Sequence, residues 1–360
     1  MASLFEPACI GNLTLQNRII RSATWEGMCD PDGRPSDRLV DCYGDLARGG
    51  VGLIISGYTY VRPEGKQNPG KMGLYSAKFE DSYKKLTRAV HEQGGKIAIQ
   101  LVHAGGQADP KAAGRRIVAP SGIKIKAYRQ QPLELSVLEI EAISDAFAQA
   151  AKRAKDYGFD AVQIHGAHGY LINQFLSPLT NKRSDAYGGS LENRSRFLFD
   201  VYDKIRAKVG PAYPVFIKLN GADWVKNGLL QQDALEVAKK LSRAGIDAIE
   251  VSSGTSLSED MVPARKKINT PEKQGYNLEL AAAVKSAVSC PVISVGGFRS
   301  LEVAQEAIQD QKTDFISMSR PLIRQPDLPN LWAAGEVETC DCISCNKCFL
   351  PGLSRGGIYC

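Results

Sequence analysis

The chain has 360 residues, of which 43% are hydrophobic and 23% charged, and its formal net charge is +6. This is the composition of an ordinary globular protein with ample material for a core. The small positive charge would favour anionic cofactors or substrates, but no basic cluster interleaved with aromatic residues points to nucleic acid. No apolar run approaches the roughly 18 residues of a membrane span. The start carries Glu6 and no basic region before an apolar stretch, so we expect no signal peptide and a cytoplasmic protein.

Short β-rich apolar runs alternate with segments whose apolar residues recur at helical spacing. Gly158 and Gly245 end two such segments as C-caps, and Asp-Ala leads from each into the next strand. About eight strand–helix units, with no G-x-G-x-x-G after the first strand, favour an α/β fold with a single (β/α)8 TIM barrel over two Rossmann halves. The predicted strands are Ile19–Trp25, Gly52–Val61, Lys96–Ala104, Ala161–Ala167, Pro214–Asn220, Ala248–Gly254, Pro291–Gly297 and Phe315–Leu322. Predicted helices include Phe79–Gln93, Ser136–Tyr157, Ser190–Val209, Gln231–Ala244 and Leu278–Val288.

Segments outside this repeat define the expected domain organisation. Leu4–Asn17 predicts an N-terminal hairpin that closes the barrel floor. Residues 105–132 follow the third strand and are rich in basic residues; they form either a lid-like insertion facing the substrate or a solvated excursion. We therefore predict a barrel domain over residues 1–335, with its insertion at 105–132, and a Cys-rich tail over 336–360.

Five of the nine cysteines crowd the end of the chain. The pattern Cys342-x2-Cys345-x2-Cys348-x11-Cys360 indicates a ligand-binding tail more than a disulfide framework. Four thiolates at these spacings suit a [4Fe–4S] cluster or structural zinc. A structural clip without metal is the alternative, and Cys340 would be a spare thiol.

Polar side chains at the predicted strand ends are candidates for chemistry, because TIM-barrel active sites lie at the C-terminal ends of the strands. His165, His168 and Tyr170 follow the fourth strand directly. An H-x-x-H pair also occurs in zinc sites, but no spaced carboxylate or third histidine is evident here. Glycines after the seventh strand and a Ser-Arg pair after the eighth form the usual phosphate cradle of backbone N–H groups and a guanidinium.

Several stretches together resemble the Old Yellow Enzyme family of flavoproteins (NADH:flavin oxidoreductases). They are NRIIRSATWEG, GGVGLIISG, IQLVHAGGQ, HGAHGYLINQFLSPLTNKRSDAYGGSLENRSRF, FIKLN, ISVGG and FISMSRPLIRQP. The resemblance runs from about Leu4 to Trp332, and the His165–Phe197 block is its most specific part. The tail resembles the branch of 2-enoate reductase, 2,4-dienoyl-CoA reductase and trimethylamine dehydrogenase, apart from its second cysteine spacing. Those proteins append dinucleotide-binding domains, which we expect this chain to lack.

The resemblance implies an FMN-containing barrel in which NAD(P)H reduces the flavin. Flavin N5 then gives hydride to the β-carbon of an α,β-unsaturated carbonyl compound. By the same resemblance, His165 and His168 would bind the carbonyl oxygen and Tyr170 would protonate the α-carbon. Trp25 replaces a smaller residue and would shape the substrate pocket, while Lys218 would stand near flavin N1–O2 in place of the commoner arginine. The residues implied to hold FMN are Ser22, Ala23, Thr24, Gly57 or Tyr58, Gln100, His165, Lys218, and for the phosphate Gly296, Gly297, Ser319 and Arg320.

An ene-reductase acting on a small enone or enoate is therefore the leading hypothesis, and a homo-oligomer is compatible with it. One alternative is an amine or N-methyl dehydrogenase, for which Trp25, Tyr58 and Tyr60 would form an aromatic box around a cation. Another is a flavin-binding electron-transfer subunit that acts with a partner protein.

Overall fold

The structure is a computed structural model that describes residues 3–114, 116–354 and 356–360. Its strands are β1 Ala8–Ile10, β2 Leu13–Leu15, β3 Ile19–Arg21, β4 Leu53–Tyr60, β5 Met72–Gly73, β6 Ile97–Val102, β7 Val118–Ala119, β8 Leu133–Glu134, β9 Ala161–Gly166, β10 Val215–Asn220, β11 Ala248–Ser252, β12 Val292–Val295 and β13 Phe315–Met318. Eight of them form one parallel sheet in the order β3-β13-β12-β11-β10-β9-β6-β4, and β3 pairs with β4 to close it. The predicted TIM barrel is confirmed, and all eight predicted strands are present.

Helices connect the barrel strands and pack around the outside, as the repeat predicted. They are α1 Asp37–Arg48, α2 Glu80–His91, α3 Val137–Asp156, α4 Leu171–Leu176, α5 Leu191–Val209, α6 Gln231–Arg243, α7 Leu278–Lys285, α8 Leu301–Gln309, α9 Arg320–Arg324, α10 Leu328–Ala333 and α11 Leu350–Leu353. The longest, α3, begins with a capping box in which Ser136 accepts from the backbone of Glu139 and the Glu139 carboxylate accepts in return. Within the described ranges, no helix is long and apolar enough to cross a membrane.

The N-terminal hairpin of β1 and β2 is present, with Ala8 opposite Leu15 in antiparallel register. Its apolar side chains join a buried cluster with the first residues of the barrel strands, among them Leu53 and Phe216. The cluster therefore fills the N-terminal end of the barrel, which leaves the C-terminal end for polar chemistry.

Residues 105–132 fold over the loop that follows β9. Strand β7 inside this segment pairs with β8 just beyond it, and Nη1 of Arg183 donates to the carbonyls of Pro120 and Leu135. Gln107 donates from Nε2 to the His168 carbonyl at 2.9 Å. The segment is thus hydrogen-bonded to the residues after β9; Arg115, one of its basic residues, lies outside the described part of the chain.

The tail returns to the C-terminal rim of the barrel. The Ile358 N–H donates to the Glu26 carbonyl at 2.8 Å. Gly352 packs on the indole of Trp25, since a Cβ on this glycine would come within 3.2 Å of the ring. The tail is therefore part of the rim on which the candidate site lies.

Candidate functional site

The interior of the barrel contains a layer of polar side chains, one from the end or middle of each strand. TIM-barrel interiors are usually filled by bulky branched apolar residues, so a polar layer marks a site. All of its members are at most 3% exposed. They are Ser22, Ser56, Gln100, Gln163, Lys218, Glu250, Ser294 and Ser317.

Lys218 lies at the centre of this layer. Its ammonium group donates to Ser22 Oγ at 2.8 Å and lies 3.3 Å from Glu250 Oε1. The other carboxylate oxygen of Glu250 accepts from Gln163, which in turn accepts from Gln100, each at 2.7 Å. Burial lowers the pKa of Lys218 and the Glu250 carboxylate opposes that shift. Gln100 thus takes part in the network that holds Lys218. It is also one of the residues that the family resemblance implies to contact the flavin.

His165, His168 and Tyr170 come together at the end of β9. The His165 ring centroid lies 5.0 Å from that of His168 and 4.9 Å from that of Tyr170, both edge to face. His168 Nε2 lies 2.8 Å from Ser252 Oγ, and the Tyr170 hydroxyl donates to Gln67 at 2.8 Å. His168 has a left-handed φ of 62°, a conformation that costs free energy and is typical of functional positions. The predicted catalytic set is therefore one connected group.

Both histidines are neutral at physiological pH. Burial is the main cause that lowers the pKa of His165 far below its ordinary range, helped by His168 and the charges of Lys218 and Lys71. Burial and Lys218 lower the pKa of His168 to about 3. His165 Nδ1 accepts from the Ala167 N–H at 3.2 Å, so the ring proton is on Nε2. That N–H is a donor available to a substrate. Burial also raises the pKa of Tyr170, which keeps its hydroxyl protonated.

A cavity of about 180 Å³ opens at the ends of β3, β12 and β13. Thr24 and Ser319 meet on its wall, with their hydroxyl oxygens 2.7 Å apart. Of the residues predicted for cofactor or substrate, its lining contains Ser22, Ala23, Thr24, Trp25, His168, Lys218, Gly297, Ser319 and Arg320. Nine of the residues predicted from the sequence therefore lie together in the wall of one cavity.

Arg320 is fixed in the cavity by the tail. Its Nη1 donates to the carbonyl of Arg265 and to the side-chain oxygen of Asn346, each at 2.7 Å. Asn346 in turn donates to the Ala264 carbonyl at 2.8 Å. Nε and Nη2 of Arg320 make no hydrogen bond within the described residues, so they are available to an anion.

These residues fit FMN. The buried hydroxyl of Ser317 and the buried Nε of Arg299 have no hydrogen-bond partner among the described residues, and both residues line the cavity. Gly297 has a φ of +77°, and a Cβ there would come 2.9 Å from the Tyr276 ring. Two guanidinium groups beside the Gly297 backbone match a phosphate, and the unpaired polar atoms in the cavity wall can bind a polar ligand.

Five residues predicted to hold the cofactor lie outside the lining of this cavity: Gly57, Tyr58, Gln100, His165 and Gly296. Gly57 packs against Glu26 and Thr24, where a Cβ would come within 2.1 Å of a Glu26 oxygen. Gly296 lies beneath Tyr276 and accepts from its N–H at 2.9 Å. Tyr58 instead joins the catalytic group, with its ring centroid 5.1 Å from that of Tyr170.

Sequence reasoning missed Arg299 and Lys71. Arg299 comes two residues after Gly297, so the same strand-end argument could have included it. Lys71 belongs to no motif, and its position depends on the pairing of β5 with β4.

The tail cysteines do not form a ready metal site. Within the described residues, no group of three or more His, Cys, Asp or Glu side chains is placed to hold a metal ion. All nine cysteines are free thiols. Burial raises the pKa of the Cys348 thiol to about 11, with Cys342, Cys360 and Cys345 adding to the rise and Arg320 opposing it.

Comparisons with known proteins identify the framework. Residues 3–336 match the model of the NADH:flavin oxidoreductase / NADH oxidase family. The chain is 39% identical to the NADH oxidase of Thermoanaerobacter brockii over 349 residues, 96% of this chain and 53% of that protein. It is 37% identical to the NADPH dehydrogenase of a Geobacillus strain (WCH70), covering 93% of this chain and 95% of that protein.

A solved structure of the old yellow enzyme homologue from Zymomonas mobilis superposes with a TM-score of 0.82 at 30% identity. The match covers 95% of both chains. The chain spans about half the length of the first curated relatives that it matches, 53% and 52%.

Proposed function

Because the chain belongs to the NADH:flavin oxidoreductase / NADH oxidase family, the Old Yellow Enzyme type, we propose that it is an FMN-dependent, NAD(P)H-consuming ene-reductase. Its substrate would be a small α,β-unsaturated carbonyl compound. The observation that carries this proposal is the group of two neutral imidazoles and one protonated phenol at the end of β9, in which the His165 ring contacts both His168 and Tyr170. Bound FMN would supply the hydride that NAD(P)H delivers to it.

The protein supplies electrostatic stabilisation and a proton. Nε2–H of His165 donates to the carbonyl oxygen of the substrate, where negative charge develops as the β-carbon is reduced. His168, fixed by Ser252 and by its left-handed backbone, binds the same oxygen. The Tyr170 hydroxyl delivers a proton to the α-carbon, and Gln67 fixes the orientation of this hydroxyl.

Ser22, Thr24 and Lys218 would hold the flavin ring, and Gly297, Ser319, Arg299 and Arg320 its phosphate. The Lys218 ammonium supplies positive charge inside the barrel, as the resemblance implies for the reduced flavin. Glu250 keeps that charge from being an unpaired buried cation.

A Tyr170→Phe variant tests the assignment. We expect FMN binding and reduction by NADPH to persist, while oxidation of the reduced enzyme by cyclohex-2-enone slows about 100-fold or more. Tyr187→Phe removes a phenol that is bonded to Asp200 and lies outside the catalytic group, and it is the matched control. Unchanged oxidation by the enone in Tyr170→Phe would show that the proton comes from elsewhere.

The amine-dehydrogenase alternative is less well supported. Tyr60 points away from the site, since its hydroxyl donates to the Asp32 carbonyl at 2.7 Å. The remaining aromatic pair, Tyr58 and Trp25, already faces the ammonium group of Lys71. A second cation would be repelled there. The electron-transfer alternative requires a flavin that NADPH does not reduce without a partner protein. Adding NADPH to the purified, FMN-loaded protein alone therefore tests it.

A metal on the tail is a separate proposal, and no step above depends on it. Cys342, Cys345, Cys348 and Cys360 are the candidate ligands for a [4Fe–4S] cluster or zinc. Iron, sulfide and zinc analysis of anaerobically purified protein tests it. Metal that is lost in a Cys345→Ser variant would support the proposal, and metal-free protein with intact thiols would refute it.

A further inference from the structure

Lys71 carries a buried amine into the proposed substrate site. It comes immediately before β5, whose Met72 pairs with Thr59 of β4. Gly70 has a φ of +67° and approaches Gly27 so closely that a Cβ would lie 2.9 Å from its carbonyl group. This tight turn directs the next side chain inward, and Lys71 is only 3% exposed.

Aromatic rings surround this amine. Nζ lies 3.9 Å from the centroid of the Tyr58 ring and 5.8 Å from that of Trp25. Tyr58 in turn contacts Tyr170, the proposed proton donor. Within the described residues, Nζ makes no hydrogen bond and no ion pair. Two π faces compensate only part of the cost of burying an ammonium group.

Among the described residues, no nearby carboxylate is free to pair with Lys71. The one whose charge acts on it, Glu26, lies 2.8 Å from Arg21 and accepts from the Tyr43 hydroxyl at 2.7 Å. His165, on the facing strand end, is neutral and cannot supply negative charge. When Lys71 is protonated, the described residues of the site therefore carry one positive charge without a matching anion.

We propose that Lys71 is a specificity-determining residue that binds a carboxylate on the substrate itself, so that the site prefers anionic unsaturated carbonyl compounds over neutral ones. This rests on the proposed function, since the substrate is the molecule whose alkene is reduced. A carboxylate would give Nζ the charged hydrogen-bond partner that it lacks. The reduced flavin is a second possible source of negative charge, and the experiment separates the two.

Protonation of Lys71 gives the preference a defined pH dependence. Burial lowers the pKa of this lysine to about 7, with Glu26 opposing the shift. The tyrosines that face it, Tyr58 and Tyr170, have pKa values raised by burial and remain uncharged. Lys71 is therefore charged at pH 6 and largely neutral at pH 8.5, so the selectivity should be present at the lower pH and lost at the higher.

The test is a binding titration of the oxidised FMN-loaded enzyme, followed by flavin absorbance, with benzoate and with neutral benzamide. We expect benzoate to bind about tenfold more tightly at pH 6, the contribution of one charge-assisted hydrogen bond. The ratio of the benzamide dissociation constant to the benzoate dissociation constant should approach one in Lys71→Gln and Lys71→Met, and in the wild type at pH 8.5. Lys66→Gln is the matched control, because that lysine is also buried over a tyrosine ring but donates to the Pro31 carbonyl. A ratio that does not depend on Lys71 or on pH would overturn the proposal. This is the result expected if the Lys71 amine interacts only with the negative charge of the reduced flavin.

Turnover separates this inference from the proposed function. The substrates are (E)-4-oxopent-2-enoate and its methyl ester, which share the alkene and the ketone. We expect the ratio of their kcat/KM values to favour the acid at pH 6 and to fall in Lys71→Gln. If neither compound is reduced but benzoate selectivity depends on Lys71, the anion site stands and the ene-reductase proposal fails. If both compounds are reduced and the ratio of their kcat/KM values does not depend on Lys71, the ene-reductase proposal stands and the anion site fails.

Discussion

Nζ of Lys218 lies 3.3 Å from Oε1 of Glu250 in the interior of the barrel, where the two side chains are 3% and 0% exposed. Adjacent positions of β10 and β11 provide the pair. The Ser22 hydroxyl bridges the two groups, accepting from the lysine and donating to the carboxylate. A buried charge is tolerated only when it is paired and hydrogen-bonded, so this arrangement lets a cation stand inside the barrel.

Removing the carboxylate should destabilise the fold. Glu250→Ala leaves a buried ammonium group without its partner, and we expect the free energy of unfolding to fall by about 3–5 kcal/mol. The control is Glu236→Ala, which breaks a surface pair with Lys239 and should leave the free energy of unfolding almost unchanged, because the Glu236 side chain is 50% exposed and that of Lys239 34%. Denaturant titration of the two variants checks the difference; equal losses would mean that Lys218 does not depend on Glu250.

Gly297→Ala should impair FMN binding beyond the backbone strain that it causes. Gly297 and Gly189 share a left-handed backbone, with φ of +77° and +80°, but only at Gly297 would a Cβ meet another side chain, at 2.9 Å. We expect Gly189→Ala to cost about 1 kcal/mol of stability and to leave FMN affinity unchanged. Gly297→Ala should also raise the FMN dissociation constant at least about tenfold. Fluorescence titration with FMN measures it, and similar affinities for both variants would place the phosphate elsewhere.

Asn346 should act on FMN through Arg320. Asn346→Ala removes the side-chain oxygen that holds Nη1 of the guanidinium, so we expect about tenfold weaker FMN binding, the effect of losing roughly one such hydrogen bond. Ser354→Ala, which removes an exposed tail hydroxyl, should bind FMN normally. If both variants bind FMN like the wild type, the tail does not position the phosphate site.

The depressed pKa of His168 predicts how stability changes with pH. The unfolded imidazole binds a proton below about pH 6.5, whereas the folded one does so only near pH 3. Between these values the unfolded state binds more protons, so stability falls as the pH falls through this window. His168→Gln removes this contribution, and we expect its Tm to decline less steeply than that of the wild type from pH 7 to pH 4. Parallel declines would contradict a neutral, buried His168, and His91→Gln on the surface is the control.

The fold was predictable because its signals are local. Strands delimited by glycine and helices with regular apolar spacing gave all eight barrel strands, and predicted Ser190–Val209 differs from observed Leu191–Val209 by one residue. Predicted strand ends were less accurate: Ile19–Trp25 contains a strand of only Ile19–Arg21. The residues after Arg21 leave the sheet to form the cavity wall, a role that periodicity does not encode.

The grouping of the candidate side chains was predictable where they fall in one short stretch of sequence, as His165, His168 and Tyr170 do. It was not predictable where distant segments meet. Lys71 reaches Tyr58 only because β5 pairs with β4, and Asn346 reaches Arg320 only because the tail folds back on the rim. Such contacts depend on tertiary packing and leave no pattern in the local sequence.

The most direct test of the account is the absorbance of the anaerobic, FMN-reconstituted protein, recorded before and after NADPH and then after cyclohex-2-enone. We predict a flavin band that NADPH bleaches and the enone restores. A protein that binds no FMN would contradict the site itself. A bound flavin that NADPH does not reduce, or that the enone does not reoxidise, would contradict the proposed ene-reductase.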